Sequence, residues 1–168
     1  MVDLPDIQVS IDGVSIEYYA ISGASKNALI SDMSAKGAAC GLSDADACFY
    51  DTLSWKDQKT IDPSSGACSV SSVDFTATYT IKLPKWTGPA QVPAALATWW
   101  KAVLAHFVWH ESQHLVIAQS YVPQFKQAIL AGPCDQASQN KIAGAINDQL
   151  NAAQNAFDAK DKSWTWPA

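Results

Sequence analysis

The sequence predicts an α+β fold in a single domain over residues 1–168, with a small, twisted, mainly antiparallel sheet packed on two long helices. Three observations lead there. Segments with period-two alternation occupy the first half of the chain, apart from one short helical stretch. After a Pro- and Gly-rich connection near residue 90 the apolar period changes to 3.6. The length of 168 residues suits one buried core and leaves little room for two.

Each element follows from its residues. VSIEYYAI, from Val14 to Ile21, is rich in β-branched and aromatic residues and reads as a strand. SGAS then offers a turn with helix-cap character, and Lys26 to Lys36 reads as a short helix ending before Gly37. CFYDTLSW, from Cys48 to Trp55, is a second strand, and DPSSGAC a loop. From Val70 to Leu83, Val73, Phe75, Ala77, Tyr79 and Ile81 share one face of the clearest strand. PKWTGPAQVP connects it to a long helix running through Tyr121, with Pro93 in its first turn, where a missing N–H is harmless. Pro123 is expected to kink or interrupt that helix. After the break at GPCD, a last helix runs from about Ser138 to Lys160, with Ile142, Ile146, Leu150, Ala153 and Phe157 on one stripe.

Composition narrows the function. Hydrophobic residues make up 48% and charged residues 16%, which excludes a disordered chain and a basic nucleic-acid face. The net charge of −5 argues against nucleic acid or anionic membrane as the main partner. No apolar run is long enough for a transmembrane helix. The opening MVDLPDIQVS lacks the stretches of a signal peptide, so export would rest on a signal that precedes it. Cys40, Cys48, Cys68 and Cys134 lie near turn-forming residues, which favours two disulfides in an exported protein over four buried free thiols in the cytosol, and the lack of a CxxC pair argues against a zinc knuckle. Three pairings are open.

The charged residues are unevenly chosen. There is no Arg, and Glu occurs only at Glu17 and Glu111. His occurs only at His106, His110 and His114, so one Glu and every His fall within nine positions. His110-Glu111-Ser112-Gln113-His114 places two imidazoles one turn apart on one helix face, the spacing at which both reach one Zn²⁺. A tetrahedral zinc with two or three protein nitrogen or oxygen ligands keeps a position for water. Glu111, beside the first ligand, is then the general base for attack by a zinc-bound water on a peptide bond. Composition alone gives about six chances in ten thousand of this motif in a chain of these frequencies. Its flanks, VLAHFVW and LVIAQSY, are strongly apolar, and polar residues on a buried helix need partners.

The third ligand is open at this level. His106 extends the ladder, but three positions one turn apart span about 12 Å, too far for one tetrahedral ion. A helix histidine bonded to a carbonyl or water is its plainer reading. No Glu follows Glu111, and Glu17 lies far upstream on a strand. Asp135, Asp148, Asp158 and Asp161 are left, and Asp158, beside Phe157 of the apolar stripe, is the first choice.

The segments YYAISGASKNALISDMSAKG, YTIKLPKWTGPAQVPAALATWWKAVLAHFVWHESQHLVIAQ and AQNAFDAKDKSW together resemble the bacterial secreted zinc-dependent proteases long catalogued as a domain of unknown function. The likeness covers roughly residues 15 to 163. It rests on a Tyr-x-(Val/Ile)-x-Gly opening, a strand ending in Leu-Pro-x-Trp, a Trp-bearing helix leading into HExxH, and a final aromatic-Asp pair. The resemblance implies a zincin-like fold, export, His110 and His114 as zinc ligands, and Glu111 as base. Phe157-Asp158 corresponds to a Tyr-Asp pair that the family follows with a Thr and a His-Gly. Here AKDKSWTW follows without a His, so Asp158 or Asp161 would substitute.

Trp55, Trp86, Trp99, Trp100, Trp109, Trp164 and Trp166 read mainly as core and cleft wall, with a carbohydrate or ligand platform as the other reading. Trp164 and Trp166, in a short tail, either line a cleft or move. Tyr18, Tyr19 and Tyr121 are candidate oxyanion donors. The expected activity is a zinc-dependent endopeptidase acting on protein or peptide, secreted or periplasmic. Its rivals are a zinc-binding module without peptidase activity and an amidase acting on a cell-wall crosslink.

Overall fold

A computed structural model describes residues 1–37 and 45–167. In chain order the elements are β1 (Val2–Asp3), β2 (Val14–Ile21), α1 (Lys26–Lys36), β3 (Cys48–Ile61), β4 (Cys68–Trp86), β5 (Gln91–Val92), α2 (Ala94–Leu130) and α3 (Gln136–Asp161). The fold class is α+β, as the sequence predicts, but the sheets are small and mixed. β1 pairs antiparallel with β5, whereas β2 pairs parallel with β4, Val14 opposite Tyr79 through Ile21 opposite Trp86. The second sheet has the order β2-β4-β3. To the mainly antiparallel expectation this adds one parallel pair, β2 with β4. Alternation of side chains fixes which face of a strand is buried and carries no information on the direction of its neighbour.

The residues group into two units. The first comprises Met1–Tyr50, Tyr79–Gln113 and Ser163–Ala168. Its core holds Ile21, Leu29, Met33, Ile81, Leu83, Trp100 and Val103, all at 1% exposure or less. Removing each such aliphatic side chain from water contributes roughly 1.5–3 kcal/mol. Trp86 and Trp100 meet edge to face at 6.2 Å, and the Trp86 indole N–H donates to the Gly23 carbonyl at 3.0 Å. α1 starts where the sequence places it, because Ser25 is its N-cap and accepts from the Ala28 N–H. Gly37 closes it in right-handed geometry, donating to the Ser34 carbonyl.

The second unit comprises Asp51–Thr78 and His114–Lys162. Phe75 stacks on Phe125 at 5.5 Å, and Ile129, Ile146 and Leu150 are buried. β3 runs on past Trp55 to Ile61. That extension escapes hydropathy because KDQKT is polar on both faces. Its inward residues are recruited by one buried amide. Gln139, fully buried, accepts from the Trp55 indole N–H and donates to Asp57 and to the Pro133 carbonyl. The Gln139 donation, with Lys59 nearby, holds the Asp57 carboxyl below its usual range. α3 begins two residues earlier than the apolar stripe suggests, because Asp135 caps it by accepting from the Ser138 N–H.

Pro123 does not interrupt α2, which continues to Leu130. The carbonyl that loses its partner belongs to Gln119, an exposed residue whose oxygen water can satisfy. Buried Ala118, Phe125 and Ile129 hold the helix on either side. Cys68 pairs with Cys134. Cys48 is in a disulfide as well, and Cys40 lies outside the described residues. No helix among the described residues is long and apolar enough to cross a membrane.

Candidate metal centre on the HExxH helix

The HExxH residues lie where the sequence places them, within the uninterrupted α2. His110 and His114 are therefore one turn apart on one face. Glu111 is 4% exposed and His114 is buried as well.

His114 is the most constrained of them. On α3, Leu150, Gln154, Phe157 and Asp161 recur at helical spacing, with Asp158 one turn beyond Gln154. Phe157 meets the His114 ring edge to face at 5.1 Å. Gln154 bonds His114 twice: its Nε2 donates to the His114 backbone carbonyl at 3.1 Å, and its Oε1 bonds the ring Nδ1. A carbonyl can only accept, so the first bond fixes the orientation of the Gln154 amide. Oε1 must then be the atom facing Nδ1, and Nδ1 must carry the proton. Nε2 is left pointing at Asp158 Oδ1, 2.8 Å away. Two acceptors at that distance repel unless a cation lies between them, either a proton on the ring or a metal ion. This donor set, imidazole nitrogen with carboxylate and an outer hydrogen bond orienting the ring, fits zinc.

Two sets of His and Asp side chains among the described residues are suited to hold a metal ion: His110, His114 and Asp158, and His106, His110 and Asp161. Asp158 belongs to the first set and Asp161 to the second. Asp135 is occupied as a helix cap. His106 meets the Trp164 ring at 4.0 Å between centroids, with the planes 2° apart. The plain reading of His106 as a histidine bonded to a carbonyl or water misses this stacking partner.

The tyrosines singled out as oxyanion donors all have structural partners. Tyr18 Oη accepts from the Val9 N–H at 2.9 Å. Tyr19 donates to the Asp46 carbonyl, and burial, then Asp46 and Asp32, push its hydroxyl pKa upward. Tyr121 donates to the Gln149 carbonyl at 3.3 Å. Tyr50, which reasoning from sequence does not single out, has a partner as well. It is 40% exposed, and its hydroxyl lies 3.2 Å from Cys48 Sγ, a disulfide sulfur that can only accept. Burial and then the carboxylates of Glu17 and Glu111 raise its pKa. Nothing in CFYD distinguishes it from a strand tyrosine. Gln154 is missed for a similar reason, because an amide in AAQNAFD has no chemistry of its own until it meets His114.

No curated protein and no solved structure matches the chain. A family model does match, over residues 16–163, and its description, bacterial protein of unknown function (DUF922), names no activity. That match spans most of the 168 residues and includes the HExxH helix, Gln154 and Asp158, so the chain belongs to this bacterial family.

Proposed function

We propose that the protein is a zinc-dependent endopeptidase, zincin-like in fold and exported, with His110, His114 and Asp158 as metal ligands and Glu111 as general base. The observation that carries this reading is the clamp on His114: Gln154 forces the proton onto Nδ1 and leaves Nε2 facing the Asp158 carboxylate across 2.8 Å. His110, one turn away, supplies the second nitrogen, and disulfide bonding of Cys68, Cys134 and Cys48 supports an oxidising compartment. Zinc, when bound, supplies Lewis acidity and a more acidic water. Glu111, held out of bulk solvent, accepts the proton of the attacking water and returns it to the leaving amine.

Zinc content and cleavage of casein or a peptide library, measured together, test the reading. Glu111→Gln is expected to keep one zinc per chain and to lose about a hundred- to ten-thousandfold in kcat/KM. Zinc bound with no peptide cleaved would make the protein a binding module. Cleavage confined to cell-wall crosslinks would make it an amidase. A folded protein that takes up no metal would end the proposal.

A further inference from the structure

The segment after α3 is short, aromatic and unused by the proposed chemistry, yet it is specifically held. Trp164 lies flat on His106 and also contacts Phe107 at 6.2 Å. Trp166 meets Phe107 edge to face at 6.1 Å and Trp99 at 6.0 Å, while the Trp99 indole N–H donates to the Pro167 carbonyl at 3.0 Å. Residues 99, 103, 106, 107 and 110 recur at helical spacing, so the segment lies along the face of α2 that leads to His110. Trp164 and Trp166 pack against the core cluster through contacts that a separate peptide could also make: indoles on aromatic partners and a main-chain carbonyl taken by a side-chain donor. Both contact types would serve any peptide with aromatic residues two positions apart.

We propose that this face of α2 is a peptide-binding subsite that takes an aromatic side chain against His106, and that Ser163–Pro167 fills it as an internal pseudo-ligand that substrate must displace. This rests on the peptidase reading for the identity of the ligand as substrate, though the binding event itself requires no cleavage.

The test uses full-length, zinc-loaded Glu111→Gln protein, so that nothing is cut, and a fluorescein-labelled SWTWPA peptide followed by anisotropy. Replacing both Trp164 and Trp166 by Ala vacates the face, and the peptide is expected to bind about tenfold more tightly than to the parent. Trp164→Phe, which preserves a stacking ring, is expected to behave like the parent, and a labelled SATAPA peptide to bind neither. Equal binding by the parent and a folded double variant would overturn the proposal and make the segment a structural clasp. Equal binding of SWTWPA and SATAPA to that variant would overturn the aromatic preference. If the double variant does not fold, hydrogen exchange on the parent decides. Excess unlabelled SWTWPA should speed exchange of the Ser163–Trp166 amides, and unchanged exchange at saturating peptide would overturn the idea. Failure of casein cleavage in the unsubstituted protein would count against the peptidase reading and leave these binding results standing.

Discussion

Gln154 holds His114 by ring and backbone at once, and the effect is to decide which nitrogen carries the proton. Outer hydrogen bonds of this kind are expected to matter about 10- to 100-fold in metal affinity. Gln154→Ala should therefore weaken zinc by that factor in a chelator competition, with the fold unchanged by circular dichroism. An unaltered affinity would mean that Phe157 packing alone orients the ring. The two candidate carboxylates separate in the same assay. Asp158→Ala is expected to release zinc far more readily than Asp161→Ala, and the reverse order would shift the ion to the set that includes His106. At this scale the two imidazoles and Glu111 are legible in the sequence, because a helix turns a spacing of four into a shared face. Asp158 can be named from its place beside Phe157, but its approach to His114 and the role of Gln154 cannot, because they join residues 40 or more positions apart.

Among the elements, β2 and α1 have the bounds the sequence predicts, since their signals are local: a β-branched run, a Ser cap, a terminal Gly. β3 is longer than predicted because polar residues form strand once their backbone has a partner. The parallel pairing of β2 with β4 joins residues more than sixty positions apart, a separation that no local pattern encodes. Pro123 is the opposite case, a strong local signal overridden by packing. It remains a cost, since the ring removes one helical hydrogen bond and crowds the preceding turn. Pro123→Ala is expected to stabilise the protein by about 1–3 kcal/mol in chemical denaturation. No gain would show that the surrounding turns have already absorbed the ring.

For the molecule as a whole, the disulfide between Cys68 and Cys134 joins the two chain segments of the second unit and closes a loop with a sequence separation of 66. The chain-entropy contribution of a loop that long is about 4 kcal/mol. Replacing both cysteines by Ser is thus expected to lower the unfolding free energy by roughly that amount, read from the denaturant midpoint at constant slope. A shift below about 1 kcal/mol would mean that native strain or residual unfolded structure cancels the constraint. The pairing itself was one of three that the spacing left open.

The two units are not consecutive stretches of chain. The first is assembled from three segments, the last beginning at Ser163, and the second from two, the last ending at Lys162. A ribosome that has delivered the HExxH motif has therefore completed neither unit, and the first lacks its closing strip of tryptophans until synthesis has passed residue 163. Folding cannot proceed one unit at a time from the N-terminus, as it does in beads-on-a-string proteins. An emerging chain of this kind stays unfinished, its apolar faces open to whatever it meets, until nearly all of these residues have been made.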